Sequence, residues 1–373
     1  MTRKIIRKAF RRACFVFLRW LGFLALWRYV HRNSVTILMI HGVMGKEESS
    51  LWVPLRTRLT PQRLDGILRL LSRHYRFISF DDAVAMVTGK KEIQPYSLAV
   101  TFDDGYRNNI TRALPVLRKY GVPAVLFVSS GNVEDRRPYW FDRLDFALQH
   151  APAGTREVRI GRKTILLDRT SRSSLRDSYA RIRAAAKEIL RDDAEMIEEL
   201  EGLASFLERE NGRELAEIFE VDEWSALLTW EEIRCVSGSP DMLFQTHTSD
   251  HVRLGLVSEQ TVREQILNSK KMLETHTGVP CRFLCYPSGS FSVRTMEIAK
   301  ECGIEAAVTT MPGPNRSGDD PMALRRVHVS TDGSDAELLA DICGLARITW
   351  EWRDRFFKKA SKCEPRGDMV LGQ

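Results

Sequence analysis

The sequence contains few cysteines, and they lack the spacing of a disulfide framework. Seven are scattered through 373 residues, an odd number without a recurring interval. This arrangement excludes the small secreted domains that disulfides hold together. We expect reduced thiols, which favours a cytoplasmic protein; an exported protein is the alternative.

The amino terminus lacks both acidic residues and a long uninterrupted hydrophobic run. Residues 1–32 are rich in Lys and Arg without any Asp or Glu, and Arg19 interrupts the apolar stretch 13–27. That stretch is shorter than the roughly 20 residues of a spanning helix, and no small-residue cleavage site follows it. We therefore predict that residues 1–33 form a basic amphipathic helix lying in the plane of the inner membrane; a signal segment and a buried helix are the alternatives.

The lipid-facing side of this helix is predicted to be apolar, while its arginines contact anionic headgroups. The apolar residues are Phe15, Phe17, Leu18, Trp20, Leu21, Leu24 and Trp27. The chain carries a net charge of +7. Because the basic residues are concentrated at the amino terminus, we expect a membrane surface and not nucleic acid as the partner.

No internal repeat or low-complexity tract interrupts the rest of the chain. From about residue 35, short apolar runs such as VTILMIHGV, LAVTF and MLFQTH alternate with amphipathic helical patterns. This alternation predicts a parallel sheet buried on both faces, with about seven units that can close into a barrel. A charged stretch of helical period predicts a helical insertion at about 151–224. The expected domains are the segment 1–33, a barrel over 34–345 and a tail over 346–373.

Two adjacent carboxylates, Asp103 and Asp104, end the apolar run LAVTF. Buried carboxylates cost several kcal/mol each unless they are paired or bound to metal. Strand alternation points the two to opposite faces, but at the carboxyl end of a barrel strand both can reach one pocket and take different roles. The alternative is that one of them caps a following helix.

A second candidate segment is HTSDH, in which His247 and His251 lie four residues apart. A helical turn beginning at His247 would place both imidazoles on one side. With one aspartate they would form a three-ligand site that keeps open positions, as catalytic ions require. We assign Asp104 as the third ligand and leave Asp103 as the base for water. Zn²⁺ is favoured, and Co²⁺, Ni²⁺ and Fe²⁺ are also compatible with these donors.

A closed structural zinc site is the competing interpretation. Cys281 and Cys285 are four residues apart and, with the two histidines, would supply a Cys2His2 set. Strand alternation argues against it: if Arg282 and Tyr286 face the pocket, the thiols face a helix layer.

Three motifs in this order resemble a known family. TFDDG at 101–105, HTSDH at 247–251 and RFLCYPSG at 282–289 are similar to the first three motifs of the NodB-type polysaccharide deacetylases, carbohydrate esterase family four. The resemblance covers roughly residues 35–330 apart from the insertion. It implies an α/β fold, a distorted (β/α)7 barrel, and metal-dependent hydrolysis of an N-acyl group from an amino sugar.

The resemblance also implies roles for single residues. Asp103 matches the catalytic base, and Asp104, His247 and His251 match the metal ligands. Arg282 matches the arginine that orients the base, and Tyr286 matches the residue whose backbone N–H holds the oxyanion. A guanidinium beside Asp103 would keep that carboxylate ionised.

The general acid departs from the family pattern. Family members usually supply a late histidine in a Leu-x-His context, and the late candidate here, His328 in ALRRVHVS, matches it imperfectly. ILMIHGVMG resembles the early Tyr-His-x-Val segment of the poly-N-acetylglucosamine deacetylase branch, in which an early histidine takes this place. We favour His41 over His328; the alternative is that neither histidine is catalytic.

The resulting prediction is a metal-dependent hydrolase that removes N-acetyl groups from an amino-sugar polysaccharide, oligosaccharide or lipid-linked saccharide. It would serve envelope or exopolysaccharide biosynthesis, bound to the membrane surface through residues 1–33. The alternatives are a non-catalytic carbohydrate-binding protein of the same fold, and a deformylase or O-acetyl esterase on the same scaffold.

Overall fold

The structure is a computed structural model that describes residues 3–44, 52–56, 58–190 and 192–345, with side chains from Arg12 onward. The tail predicted for residues 346–373 lies outside the described residues. The strands are β1 (Val35–Ile40), β2 (Arg76–Phe77), β3 (Ser97–Phe102), β4 (Ala124–Val128), β5 (Thr155–Ile160), β6 (Lys163–Asp168), β7 (Met242–Thr246), β8 (Phe283–Cys285), β9 (Ala306–Val308) and β10 (Val327–His328).

The helices surround the strands on the outside of the sheet and at its ends. They are α1 (Arg3–Trp20), α2 (Phe23–Val30), α3 (Pro61–Ser72), α4 (Phe80–Val87), α5 (Leu114–Lys119), α6 (Ser130–Glu134), α7 (Trp140–His150), α8 (Arg172–Ile189), α9 (Asp193–Asn211), α10 (Trp230–Val236), α11 (Glu259–Thr277), α12 (Val293–Glu301) and α13 (Asp335–Ile342). Many of them begin at a serine or threonine whose hydroxyl accepts a backbone N–H of the first turn, as Ser258 does for α11.

Eight parallel strands form the central sheet, in the order β10-β1-β3-β4-β7-β8-β9 with β2 beside β3. Every residue of β1 and of β3 is buried, because both faces of the sheet are covered. Ile37 and Ala99 pack inside the curled sheet, whereas Leu38 and Val100 pack under the helices. The predicted parallel α/β architecture is confirmed.

The segment 324–328 joins the two edges of the sheet. Leu324 forms a bridge with Val308 at the end of β9, and β10, which begins three residues farther along, pairs with Leu38 and Met39 of β1. The last strand therefore lies beside the first, and the sheet curls into a barrel. Residues at the carboxyl ends of β1, β3, β7 and β10 meet at one rim.

The insertion between β4 and β7 is only partly helical. Its long helices are α8 and α9, but it begins with an antiparallel hairpin of β5 and β6. The expectation of an entirely helical insertion is therefore wrong for residues 155–168. In this hairpin Val158 and Ile160 are buried between exposed neighbours, and Gly161 occupies the turn with φ = +53°, a left-handed conformation that glycine adopts readily.

The amino-terminal segment forms two helices instead of one. No single described helix is long and apolar enough to cross a membrane; residues 12–20 and 23–30 reach the required length and composition only together, and they meet at 82°. Phe15 and Leu24 are buried against the protein, which corrects their predicted contact with lipid. The indole N–H of Trp27 donates to the Cys343 carbonyl, so this residue also packs inward.

Candidate active site

Two carboxylates extend past the end of β3 into one cleft. Asp103 continues the alternation of the strand and shares the interior face with Ala99 and Thr101, as predicted. Asp104 has φ = +81°, a left-handed conformation that is costly for a residue with a Cβ. This turn of the backbone brings the side chain of Asp104 into the same cleft, although alternation alone would point it away.

Asp104 lies beside both histidines of the HTSDH segment. Its Oδ1 is 3.5 Å from Nε2 of His247 and 3.6 Å from Nε2 of His251, and one ligand atom of each residue lies within 4.8 Å of the others. Two ligands at about 2.0–2.2 Å from one tetrahedral zinc ion are about 3.3–3.6 Å apart. The three side chains therefore have the donor types and the spacing that a divalent ion requires.

The two histidines converge without the helical turn that we expected. His247 follows β7, and the chain then runs through an irregular loop. Thr248 and His251 adopt left-handed conformations, with φ of +66° and +55°. These two backbone reversals, and not helical spacing, place both imidazoles over Asp104. Such strained positions are typical of functional sites.

Neighbouring groups fix the rings in the orientation that coordination needs. Nδ1 of His247 lies 2.8 Å from the carbonyl oxygen of Cys285; because a carbonyl only accepts, Nδ1 carries the proton and Nε2 is left to face Asp104. Burial and the adjacent His247 lower the pKa of His251 to about 3. Burial opposes the ionisation of Asp104, but His247, His41 and His251 hold its pKa far below the usual value. Burial opposes the charged form of His247, but Cys285 and Asp104 raise the pKa of this ring above its usual value. His247 would therefore release a proton on binding metal, whereas His251 and Asp104 already have the neutral and ionised forms that bind it.

The competing Cys2His2 site is absent from the described residues. Cys281 precedes β8 and Cys285 ends it, and only the latter lies near His247. The side chain of Cys285 packs inside the barrel, which corrects its predicted position facing a helix layer. A cluster of Asp103, His247 and Cys285 also has metal-like spacing, but the carboxylate and the thiol of that cluster both accept hydrogen bonds from Arg326.

Arg326 is the arginine that holds Asp103. Its Nη1 and Nη2 donate to the two carboxylate oxygens at 2.7 and 2.8 Å, and its side chain is 1% exposed. The carbonyl of Thr309 and the hydroxyl of Thr101 accept its remaining hydrogen bonds. Burial alone would raise the pKa of Asp103, but the guanidinium of Arg326 more than offsets this and holds the pKa below its usual value.

The predicted role of Arg282 is therefore corrected. Its guanidinium pairs with Asp81 and Glu305 at the surface. Arg282 precedes β8 whereas the active-site rim lies past the end of that strand, about 13 Å away at about 3.3 Å per residue. Sharing a face with Tyr286 does not bring Arg282 to the same end of the barrel.

The predicted oxyanion donor is corrected as well. The backbone N–H of Tyr286 donates to the carbonyl of Val308 in the neighbouring strand, so it is already engaged. The ring of Tyr286 stacks on Phe291 among the outer helices. Ser288, two residues farther along, lines the cleft with φ = +55°, and its N–H has no backbone partner among the described residues.

Both candidate acids lie at this rim, but in different positions. Nε2 of His41 is 3.9 Å from Oδ2 of Asp103. The cleft consists of two cavities: the first is lined by Asp103, His247 and His251, and the second lies beside it and is lined by His328. His41 borders both cavities. His328 borders only the second cavity, away from His247 and His251. Loss of solvation and the charges of His41 and Arg326 lower the pKa of His328.

The insertion forms one wall of the cleft. Arg183 and Lys187 of α8 and Met196 of α9 border it opposite the barrel, and Trp140 and Phe141 of α7 complete this wall. The cavity over the two aspartates has a volume of about 140 Å³. The insertion therefore contributes side chains to the same cleft as the two aspartates.

The family model described as polysaccharide deacetylase matches residues 90–192 and 206–307, more than half of the chain. The chain belongs to this family. As a polysaccharide deacetylase it is a hydrolase that acts on the amide bonds of N-acetyl groups. The matched residues include both aspartates and both histidines of the candidate site.

Similar proteins agree with this assignment. YxkH of Bacillus subtilis (strain 168), assigned as a polysaccharide deacetylase, is 21% identical over 298 residues, 80% of this chain and 72% of that protein. Two solved structures show the same fold at 18% identity. They are the Streptococcus pyogenes deacetylase PplD in complex with acetate (TM-score 0.53, 83% of this chain and 98% of that chain) and IcaB from Ammonifex degensii (TM-score 0.52, 84% and 97%). The predicted barrel-like deacetylase fold is thus confirmed.

Proposed function

We propose that this deacetylase removes the N-acetyl group of an amino sugar in a glycan or lipid-linked saccharide of envelope or exopolysaccharide biosynthesis, at the cytoplasmic face of the inner membrane. The observation that supports it best is the pair of neighbouring carboxylates with separate partners. Asp104 faces two imidazoles, whereas both carboxylate oxygens of Asp103 are held by Arg326. A binding protein would need no second, separately ionised carboxylate.

The residues of the site divide the reaction between them. A divalent ion held by Asp104, His247 and His251 would lower the pKa of a water molecule and polarise the acyl oxygen. Asp103 accepts the proton of the attacking water as the oxygen bonds to the acyl carbon. Because Arg326 keeps the pKa of Asp103 low, this carboxylate is ionised but is a weak base. It can therefore deprotonate only a water molecule whose own pKa has been lowered.

The remaining groups act on the tetrahedral intermediate. Ser288 lines the cleft, and its N–H is the candidate donor to the developing oxyanion. His41 gives its proton to the sugar nitrogen as the carbon–nitrogen bond breaks, which releases acetate and a free amine. His41 is favoured over His328 because it borders the cavity that contains Asp103 and both imidazoles.

The test combines metal analysis with acetate release from N-acetylated oligosaccharides. D103N is expected to lower the rate by about 10²–10⁴-fold, the usual contribution of a general base, while the protein still binds one metal ion. H251A is expected to lose the metal. D177N, at an exposed position of α8, is the matched control. Persistent activity in D103N refutes the role of Asp103.

The general acid is tested separately by comparing H41A with H328A. The first is expected to lower kcat at least about 10²-fold and the second much less. A larger loss in H328A would transfer the role to His328. Release of formate, or of acetate from O-acetyl esters only, would favour one of the alternative hydrolases.

A further inference from the structure

Four cationic side chains line the cleft around His41 without a role in the proposed reaction. Arg56 borders both cavities, Arg58 borders the second cavity beyond His41, and Arg183 and Lys187 border the first. A neutral glycan offers hydroxyl and amide groups, which need no concentration of positive charge. The surplus of cations therefore bears on the chemical class of the substrate.

Arg58 is the most informative of the four. Its side chain is 5% exposed, and both terminal nitrogens, Nη1 and Nη2, are buried and have no hydrogen-bond partner among the residues that the structure describes. The nearest carboxylate oxygen, Oδ2 of Asp142, is 3.8 Å from Nη2, beyond hydrogen-bond distance. Burying a charged group without its hydrogen bonds costs free energy. The position of the Arg58 guanidinium at the cavity therefore indicates that a bound ligand accepts these hydrogen bonds.

The surrounding residues hold this guanidinium in place. It lies 3.8 Å from the ring centroid of Tyr106, a cation–π contact that fixes the plane of the group. On the other side is Gly42, where an added Cβ would lie only 2.5 Å from Nη1 of Arg58. The arginine is thus pre-positioned with its two amino groups at the cavity, which lowers the entropic cost of binding.

Asp142 is the carboxylate shared by Arg56 and Arg58, and one carboxylate cannot neutralise both. One of its oxygens accepts a hydrogen bond from Arg56 and the other accepts the hydroxyl of Tyr106 at 2.6 Å. This carboxylate therefore forms a hydrogen-bonded ion pair with Arg56, whereas its contact with Arg58 is too long for a hydrogen bond. Positive charge at this end of the cleft remains in excess.

The insertion adds positive charge on the opposite wall. Within the described part of the chain Arg183 and Lys187 form no ion pair, because the nearby Asp193 is engaged by Arg253. Arg183 stacks on Trp140 and Tyr179. Burial and the charges of Arg183 and Arg253 lower the pKa of Lys187 to about 8, so this lysine is still mostly charged at pH 7.

We propose that the sugar substrate carries a phosphoryl group, and that Arg58 binds its oxygens in the cavity beyond His41. This inference rests on the proposed function: the sugar nitrogen must reach His41, so the sugar extends into the cavity that Arg58 borders. Guanidinium groups match phosphate oxygens bidentately. Donors on several sides, from Arg58, Arg56 and the histidines, suit a tetrahedral group better than a planar carboxylate. Arg183 and Lys187 attract the anion into the cleft.

The first experiment compares N-acetylglucosamine with N-acetylglucosamine 1-phosphate as probes for the metal-loaded enzyme. We expect kcat/KM to be at least tenfold higher for the phosphorylated probe, through a lower KM. R58Q is expected to reduce this ratio towards one, and R58K to retain part of it. R183Q with K187Q should lower the ratio less. R181Q, at an exposed position of the same helix, should keep the wild-type ratio.

The second experiment measures binding without catalysis. Calorimetric titration of D103N with the phosphorylated probe should show binding that R58Q weakens at least tenfold, with thermal unfolding as a check that R58Q is folded. A polyprenyl-phosphate-linked N-acetyl sugar in detergent and an N-acetylated oligosaccharide containing uronic acids complete the series. If kcat/KM is equal for N-acetylglucosamine 1-phosphate and the polyprenyl-phosphate-linked sugar, the phosphoryl site is supported and the lipid is not required. If kcat/KM is higher for the polyprenyl-linked sugar, the phosphoryl group belongs to a lipid carrier.

The outcomes separate this proposal from the deacetylase mechanism. If the enzyme releases acetate from neutral and phosphorylated probes equally well, the phosphoryl site is refuted and the proposed reaction stands. Preference for the uronic-acid oligosaccharide also overturns the phosphoryl assignment. If no probe releases acetate while the phosphorylated sugar still binds through Arg58, the anion site is supported and the proposed reaction is refuted.

Discussion

Arg326 and Asp103 form a bidentate ion pair at the centre of the site, and both side chains are almost entirely buried. Removing one partner of such a pair leaves an uncompensated buried charge, at a cost of about 3–5 kcal/mol. The pair also sets the protonation of the proposed base, because without the guanidinium burial would raise the pKa of Asp103. Stability and chemistry thus depend on the same contact.

R326Q is expected to lower acetate release at least about 10²-fold and to move the acid limb of the pH–rate profile to higher pH. The sign follows from the pKa of Asp103: without Arg326 the carboxylate takes up its proton at a higher pH, so the active ionised form is lost earlier on acidification. R326K keeps the charge but not the two-point contact, and should give an intermediate profile.

The matched control is R282Q, which removes an arginine of the surface pairs with Asp81 and Glu305. We expect less than a twofold change in rate and an unchanged pH profile, because exposed ion pairs contribute about 0–1 kcal/mol. An R282Q variant as impaired as R326Q would contradict the assignment of the two arginines.

At the scale of elements, α1 and α2 expose an unusual apolar surface. Trp20 is 80% exposed, Phe17 and Leu21 are each 56% exposed, and Leu26 is 60% exposed. Contiguous exposed apolar side chains of this size mark an interaction surface, and the adjoining arginines suit anionic headgroups. The membrane contact of residues 1–33 remains a prediction, now with a specific face.

Replacing Trp20 and Leu21 together by serine should lower the fraction of protein that sediments with vesicles containing anionic lipid by severalfold, because the burial of two large apolar side chains is lost. The melting temperature should not change. V293S removes an equally exposed apolar residue on α12 and serves as the control. Equal vesicle binding by the wild type and the double variant would refute the predicted face.

The sequence predicted strands and their ends better than it predicted loops. The apolar runs of β1, β3 and β7 are followed directly by His41, Asp103 and His247. The carboxyl ends of parallel strands lie at the same rim of a barrel, so the sequence placed these three side chains together correctly. The hairpin β5–β6 was missed because the stronger helical period of residues 172–211 dominated the interpretation. The alternation of Val158 and Ile160 around a glycine turn was a signal that could have identified it.

For the whole molecule, the contacts that complete the site are between distant parts of the chain. The left-handed conformations of Asp104 and His251 follow from packing that no local pattern shows. Arg326 was overlooked although it lies two residues before His328, on the same face of an extended segment by alternation. The missing information was that the last strand pairs with the first, which fixes where that face points.

The free energy of unfolding should also depend on pH through the ionisation of Asp145. This residue of α7 is fully buried and accepts hydrogen bonds from Leu55 N–H and Gln149. Burial, with a smaller contribution from Asp142, raises its pKa to about 6. The folded state therefore holds this proton between pH about 4 and about 6, and the contribution of Asp145 to stability is lost as the pH rises through about 6.

D145N removes this ionisation while an amide oxygen can still accept from Leu55. The difference in free energy of unfolding between D145N and the wild type should shift in favour of the variant, by on the order of 2 kcal/mol, between pH 4 and pH 7. Urea unfolding at both pH values measures it. For D177N the difference should stay constant, and a constant difference for D145N would contradict the assignment.

The pairing of β10 with β1 has a consequence for synthesis on the ribosome. Asp103 emerges early, but the guanidinium that it needs is more than 200 residues farther along the chain. Until nearly the whole barrel has left the exit tunnel, that carboxylate has no counter-charge and β1 has an open edge. We therefore expect a chain that ends before Arg326 to be inactive, because the proposed base then has no guanidinium to keep it ionised inside the protein.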